Sequence, residues 1–342
     1  MIKKTLLFIL TLALTASFAV SCGKNETGNF KPENFDFTLR TPTDEMGFEA
    51  GYNYFIQDDG SVIISSADVS GDVVIPSELA GKKVTAISEG AFFKSTAITS
   101  VVIPDTVETI GLYAFADCTE LSSITVGKNV WRIAPFAFDN TPWLAAQTEE
   151  FVTVGDDVLI AYNGTSRTPV LPDSVRHLGG AFAGSADIRS LTLGRGVLTI
   201  SDMALSFCSE LAEIDFGLSL VYAGDQAFSG SEKITALVFP DTLRYLGSQA
   251  TMNCYALKYV YLGKSLTALG SNTFEYAQAL RTVFIPKTLK DLRTSHFTDC
   301  MSLSIILYEG TEEEFNAVAK NDNIANFRDL TKVFNYNGGA NE

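Results

Sequence analysis

Apolar and polar positions along this chain follow one short pattern that keeps returning. Leu121-Ser-Ser-Ile124-Thr-Val126 sets apolar residues toward one side and small hydroxylic residues toward the other, the signature of a strand with one buried face. Further copies stand at Ile98/Val101/Ile103, Ile188/Leu191/Leu193, Leu211/Ile214/Phe216, Leu257/Val260/Leu262 and Leu280/Val283/Ile285. Val101 and Ile124 are 23 residues apart, and after an interruption the same step links Leu191, Ile214, Leu237, Val260, Val283 and Ile306. A fixed period of this length predicts a solenoid of stacked coils, because no coil can bury its apolar edge alone.

The rest of each coil is equally regular. Pro or Gly follows the strand (Pro104, Gly127, Gly194, Gly217, Pro240, Gly263, Pro286) and turns the chain, Pro by lacking a ladder donor and Gly by tolerating unusual dihedrals. Ala-Phe pairs (Ala91-Phe92, Ala114-Phe115, Ala137-Phe138, Ala181-Phe182, Ala227-Phe228) then plug the convex side, and Leu205, Thr251, Phe274 and Phe297 continue the Phe column. Cys118, Cys208, Cys254 and Cys300 share one position, held in the coils between by Ser231 and Ala277. Cysteines two coils apart are separated by ~10 Å at the strand spacing, beyond the roughly 7 Å a disulfide spans. They are expected to be buried small residues, neither a disulfide frame nor a metal site.

Interruptions mark the organisation. Tyr54-Phe55-Ile56 and Ser61 to Ile64, split by Asp58-Asp-Gly60, predict a hairpin that caps the open N-terminal edge. The first coil is lengthened by Leu79 to Lys83. Between Trp143 and Thr168 the period breaks, and Phe151 to Val154 with Val158 to Tyr162 predict a second hairpin around Gly155-Asp-Asp157. Its acids (Glu149, Glu150, Asp156, Asp157) match no calcium loop and read as a solvated turn. Thr311-Glu-Glu-Glu314 is a capping box for a closing helix with Phe315, Val318 and Ala319 on its apolar face, followed by Val333-Phe334. The expected boundaries are a signal segment at 1–21, a tether at 22–48, the N-terminal cap at 49–72, the solenoid at 73–308 with its hairpin insertion at 143–168, and the C-terminal cap at 309–342.

Ile103 to Leu121 reads IP-x-x-V-x-x-I-G-x-x-A-F-x-x-C-x-x-L, which closely resembles the BspA-like, Treponema-type leucine-rich repeat. The resemblance covers about Val73 to Gly310. It implies a β-rich leucine-rich-repeat solenoid with short parallel strands on the concave face, carried by a secreted or surface-anchored bacterial protein. Members are commonly linked to adhesion and host-surface contact.

The amino terminus agrees with export. Met1-Ile-Lys-Lys opens a basic region, and Thr5 to Val20 is apolar but short for a membrane span. Ala19-Val20-Ser21-Cys22 looks like a bacterial lipobox, which implies cleavage before Cys22, its lipidation, and an outer-membrane or cell-surface location; an ordinary secretory signal is the alternative. Loss of residues 1–21 moves the net charge from −15 to −17. That balance excludes a basic nucleic-acid footprint and electrostatic docking to anionic lipid, leaving the lipid anchor as the expected membrane contact.

Candidate chemistry is sparse. His296 stands in the Ala column and His177 at a variable site, neither with a cysteine, serine or carboxylate at recognisable spacing. No phosphate loop, dinucleotide fingerprint or zinc motif occurs, so no cofactor and no catalysis are expected. Function then falls on the outward strand positions. These are small and hydroxylic in the N-terminal half, but the C-terminal coils gather Tyr259, Tyr261, Phe284, Ile305 and Leu307, with Lys258 and Arg281 at the rim. An exposed aromatic strip of this kind marks a ligand site for a protein or polysaccharide; cover by Phe327, Phe334 and Tyr336 is the competing reading. The leading expectation is a non-catalytic envelope lipoprotein that binds a macromolecule. The alternatives are a structural spacer or assembly subunit, and an enzyme with a site at the hairpin insertion.

Overall fold

The computed structural model describes residues 40–319 and 329–337. Each coil contributes to two parallel ladders rather than to the single one expected. The first collects the Leu-x-x-Ile-x-Val strands: Gly71–Val74, Ile98–Val102 and Ser123–Thr125 in one run, then Ser190–Thr192 with Glu213–Asp215, then Ala236–Val238, Tyr259–Tyr261, Thr282–Ile285 and Ile305–Tyr308. Register is kept coil to coil, Val260 opposite Val283 and Val283 opposite Ile306. The second ladder is built from two-residue strands after the turn, such as Thr109–Ile110, Arg132–Ile133, Thr199–Ile200, Tyr222–Ala223 and Tyr245–Leu246. Its inward residue is the Ile or Leu of the repeat in every strand named but Tyr222–Ala223, where Ala223 takes the position, so the column was visible although the strand was not.

A third set of bonds joins the coils on the side of the Ala-Phe pairs. The amide of Phe92 donates to the carbonyl of Ala114, Phe115 to Ala137, and Phe228 to Ala250, at 2.8, 2.7 and 2.8 Å. Left-handed residues flank successive pairs, Tyr113 and Asp117 (φ 54° and 58°) in one coil and Phe136 and Asn140 (φ 60° and 55°) in the next. Each non-glycine residue held there costs roughly 1–2 kcal/mol, offset by aiming alternate amides along the stack. The Phe rings follow: Phe92, Phe115 and Phe138 stack at 4.7 and 5.7 Å. At Gly247 and Gly270 any side chain would run into the backbone of the preceding coil. These glycines therefore set how closely coils approach.

The insertion divides the interior. One core runs from Tyr52 to Val158 and the other from Leu159 to Ala319, so the two meet at adjacent residues. Strand Val158–Tyr162 carries this junction. It pairs antiparallel with Phe151–Val154, as expected for a hairpin, and parallel with His177–Leu178 of the next coil.

The caps follow the sequence with one extension. Strands β2 (Tyr52–Gln57) and β3 (Val62–Ala67) form the expected hairpin, but β1 (Pro42–Glu49) adds a third antiparallel strand where a tether was expected. Gly47 leaves room for the tip of the Tyr54 ring, which a side chain at this position would have to displace. The five-residue lengthening of the first coil is a tight hairpin, Glu78–Leu79 against Lys82–Lys83. At the other end the capping box is complete: the Glu314 amide donates to Thr311 Oγ1 at 3.2 Å and the Thr311 amide to the Glu314 carboxylate at 2.8 Å. Phe315 and Ala319 are buried, and Thr331–Val333 adds a parallel strand to Ile305–Tyr308.

Candidate functional site

The C-terminal strip spans three successive coils of the first ladder: Tyr259 is opposite Thr282, which is opposite Ile305, and Tyr261 is opposite Phe284, which is opposite Leu307. They do not share one exposure. Phe284 and Leu307 are each only 1% exposed, so neither presents a surface to a ligand. Their cover is the chain's own tail: Val333 pairs beside Leu307, and the Tyr336 ring lies 5.9 Å from Phe284. Of the other aromatic covers considered, Phe334 packs instead on Phe315, 6.0 Å away, and Phe327 lies outside the described residues. Tyr259, Tyr261 and Ile305 are half-buried, while Lys258 and Arg281 are exposed.

Backbone bonds fix the rim. The Arg281 amide donates to the Lys258 carbonyl at 2.9 Å and the Ser304 amide to that of Arg281 at 3.1 Å, so these side chains stand one coil apart. Tyr261 is held rigidly. Its ring stacks on Phe284 at 4.4 Å, and its hydroxyl donates to Asp241 at 2.9 Å. Burial, then the neighbouring Asp241 and Glu309, push its phenol well above the usual range. The surface is a rigid floor with a cationic edge, suited to contact rather than to proton transfer.

A second polar cluster lies on the second ladder, and the sequence reading missed it. His177 Nε2 is 3.1 Å from Asp156, its Nδ1 is 2.8 Å from the Thr199 hydroxyl, and Arg176 pairs with the same Asp156. A carboxylate only accepts, so Nε2 carries the proton and Nδ1 accepts from Thr199. Burial pushes the imidazole pKa down, which keeps the ring neutral. Hydroxyl, imidazole and carboxylate in this order activate nucleophiles in hydrolases, but here His177 and Thr199 are both fully buried and reach no substrate. The cluster instead pins the turn of the inserted hairpin to the coil that follows it. The expectation that His177 lacks a carboxylate partner is thus corrected. Thr199 lies one coil along in the same column, a neighbour that the repeat arithmetic contains, whereas Asp156 comes from the insertion, where that arithmetic stops.

Beside it, Arg132 is within 3.3 Å of the Tyr222 hydroxyl and 3.5 Å of Asp202, while Trp131 meets Tyr222 edge-on at 6.0 Å. Tyr222 stacks on Tyr245 at 5.3 Å. The depression at the core junction, bordered by Ile133, Phe136, Asp139, Leu144 and Ile160, has a cavity volume of about 10 Å³, room for about one water and far below the roughly 300–1,000 Å³ of small-molecule sites. Among the described residues no group of three or more His, Cys, Asp or Glu is placed to hold a metal ion.

The cysteines occupy one column, as expected. All four described thiols are free, and each donates to the Phe carbonyl of the previous coil. His296 stands in for Ala, its carbonyl accepting from Phe274 at 2.9 Å as the Ala carbonyls do elsewhere. Cys22 and the signal segment lie outside the described residues. No described helix is long and apolar enough to cross a membrane.

Comparison with known proteins agrees on the repeat. No curated protein matches the chain. Solved structures similar to it include a leucine-rich cell surface protein from Faecalibacterium prausnitzii A2-165, 17% identical over 81% of this chain and 98% of that one, with a TM-score of 0.32. A leucine-rich repeat protein from Bacteroides ovatus is 20% identical over 80% of this chain and 71% of that one, with a TM-score of 0.29. The pneumococcal vaccine antigen PcpA is 14% identical over 86% and 99%, with a TM-score of 0.47. The family model for the BspA type leucine rich repeat region matches in six copies over residues 80–160 and 178–304, more than half of the chain. This chain therefore belongs to the BspA-type leucine-rich repeat family.

Proposed function

We propose that this protein is a non-catalytic, lipid-anchored surface protein that binds a macromolecular ligand through the first-ladder face of its C-terminal coils. The observation that carries this reading is the juxtaposition of half-buried Tyr259 and Tyr261 with exposed Lys258 and Arg281 on a rigid stack. Rigid aromatic area beside a cation is what interface hot spots are made of, and ordering it costs little on binding because the fold has already done so. The lipobox-like Ala19 to Cys22 supports the anchor. Burial of Phe284 and Leu307 under the tail favours the structural-spacer alternative for that part of the strip alone.

The test is binding of the full chain, in mild detergent, to glycan and matrix-protein arrays beside a Tyr259→Ala/Tyr261→Ala variant of unchanged thermal stability. A ligand held by the parent and lost by the variant supports the reading. A ligand held equally by both places recognition elsewhere, and no ligand on either array leaves the spacer role ahead. Metabolic labelling with a radioactive fatty acid, lost in Cys22→Ser, tests the anchor.

A further inference from the structure

The face just described has a chemical asymmetry along its length. In the coil 210–216 the outward and rim positions include Glu210, Glu213 and Asp215, whereas 255–261, 278–284 and 301–307 contain no carboxylate at all. This is unusual in a chain with 40 acidic and 25 basic residues. Lys258 and Arg281 stand in the acid-free band, one coil apart, both exposed and neither in an ion pair among the described residues. Lys233 one coil earlier is by contrast paired with Glu210, and Lys264 beyond the strand with Asp241. Three residues before the rim column, Tyr255 is 42% exposed and Met301 78% exposed.

We propose that Tyr255, Lys258, Tyr259, Arg281 and Met301 form the docking surface for an acidic, extended polypeptide segment of a partner protein. This rests on the reading of the first-ladder face as a binding face and names the partner class. Tyr, Met and Arg are the residue types enriched where proteins meet proteins. Exposed Met301 offers a thioether and methyl to an apolar side chain, which a sugar lacks. The two cations attract carboxylates, and the acidic coil at 210–216 repels them, so a partner's acids are steered to the C-terminal end.

Fluorescence anisotropy of the full chain with a labelled twelve-residue peptide of alternating Glu and Leu, its Lys-Leu counterpart, and labelled heparin provides the test. The acidic peptide is expected to bind, to weaken as salt rises, and to lose about tenfold or more in Lys258→Glu/Arg281→Glu. Met301→Ala with Tyr255→Ala is expected to weaken it without changing its salt dependence. Preference for heparin, lost in the same charge variant, overturns the polypeptide partner while keeping the binding face. Binding of the acidic peptide that survives charge reversal overturns the assignment to these residues. Absence of acidic-peptide binding while the array ligand is still lost in Tyr259→Ala/Tyr261→Ala overturns the acidic partner and leaves the binding face standing. Absence of both overturns the two together.

Discussion

The thiol of Cys254 donates to the carbonyl of Phe228, 3.1 Å away in the preceding coil. Cys118 with Phe92, Cys208 with Phe182 and Cys300 with Phe274 repeat the same distance. Ser231 makes the equivalent bond to Leu205 at 2.7 Å. Cysteine here is a small donor, buried at Cys118, Cys208 and Cys254 and half-buried at Cys300, and its chemistry is suppressed by its surroundings.

Burial pushes the Cys118 and Cys208 thiols up to about 11 and those of Cys254 and Cys300 to about 12. At pH 8 these thiols are protonated and poor nucleophiles. All four are expected to resist a disulfide reagent in the native protein and to react in denaturant, as followed by thiol titration. Cys254→Ser is expected to be nearly neutral in chemical denaturation, whereas Cys254→Val should cost about 1 kcal/mol through loss of the bond and crowding of the site.

Phe115 stands between Phe92 and Phe138 in the ring stack. Phe115→Ala is expected to destabilise by roughly 3–5 kcal/mol, because neighbouring coils cannot collapse into the space while their backbones remain bonded. A urea melt measures this. A loss below 1 kcal/mol would show that the coils slide together.

The junction cluster makes stability depend on pH. Burial holds the folded His177 below its ordinary value, so between that lowered value and 6.5 the unfolded chain binds more protons and stability falls as pH falls. Asp156 is lowered on balance: burial opposes ionisation, but His177 and Arg176 outweigh it. Its contribution is present above the ordinary carboxylate value and is lost as pH falls through the lowered one. Melting temperature is therefore expected to drop between pH 7 and pH 5, and His177→Gln should flatten that drop. An unchanged slope in the variant would remove His177 as its source.

Removing residues 329–342 is expected to expose Phe284 and Leu307, since Val333 and Tyr336 are the tail residues that meet them. Binding of a hydrophobic dye should rise in the truncated chain. Tyr336→Ala should give a smaller rise, as the added strand stays in place.

How much was legible depends on whether a residue's neighbours are set by the period. The Cys column and the Phe column were read from spacing, since a residue 22 or 23 positions away is a neighbour in space, and the closing capping box from the local step between Thr311 and Glu314. The second ladder was only half legible, because two-residue strands leave too little alternation to identify. Of the candidate strip, Lys258 and Arg281 are exposed and Tyr259 and Tyr261 only half-buried, while Phe284 and Leu307 carry the same outward pattern and are covered. A strand's pattern states which way a side chain points and not what comes to lie on it.

The amino-acid sequence by itself determined the coil, its register and the family, since a repeated pattern of burial has one economical solution in stacking. Tertiary structure alone decided the pairing of His177 with Asp156, the division of the core at Val158 and Leu159, and the cover over Phe284. Each of these joins a regular coil to a segment outside the repeat. Its position is set by packing between distant parts of the chain, which no local periodicity encodes.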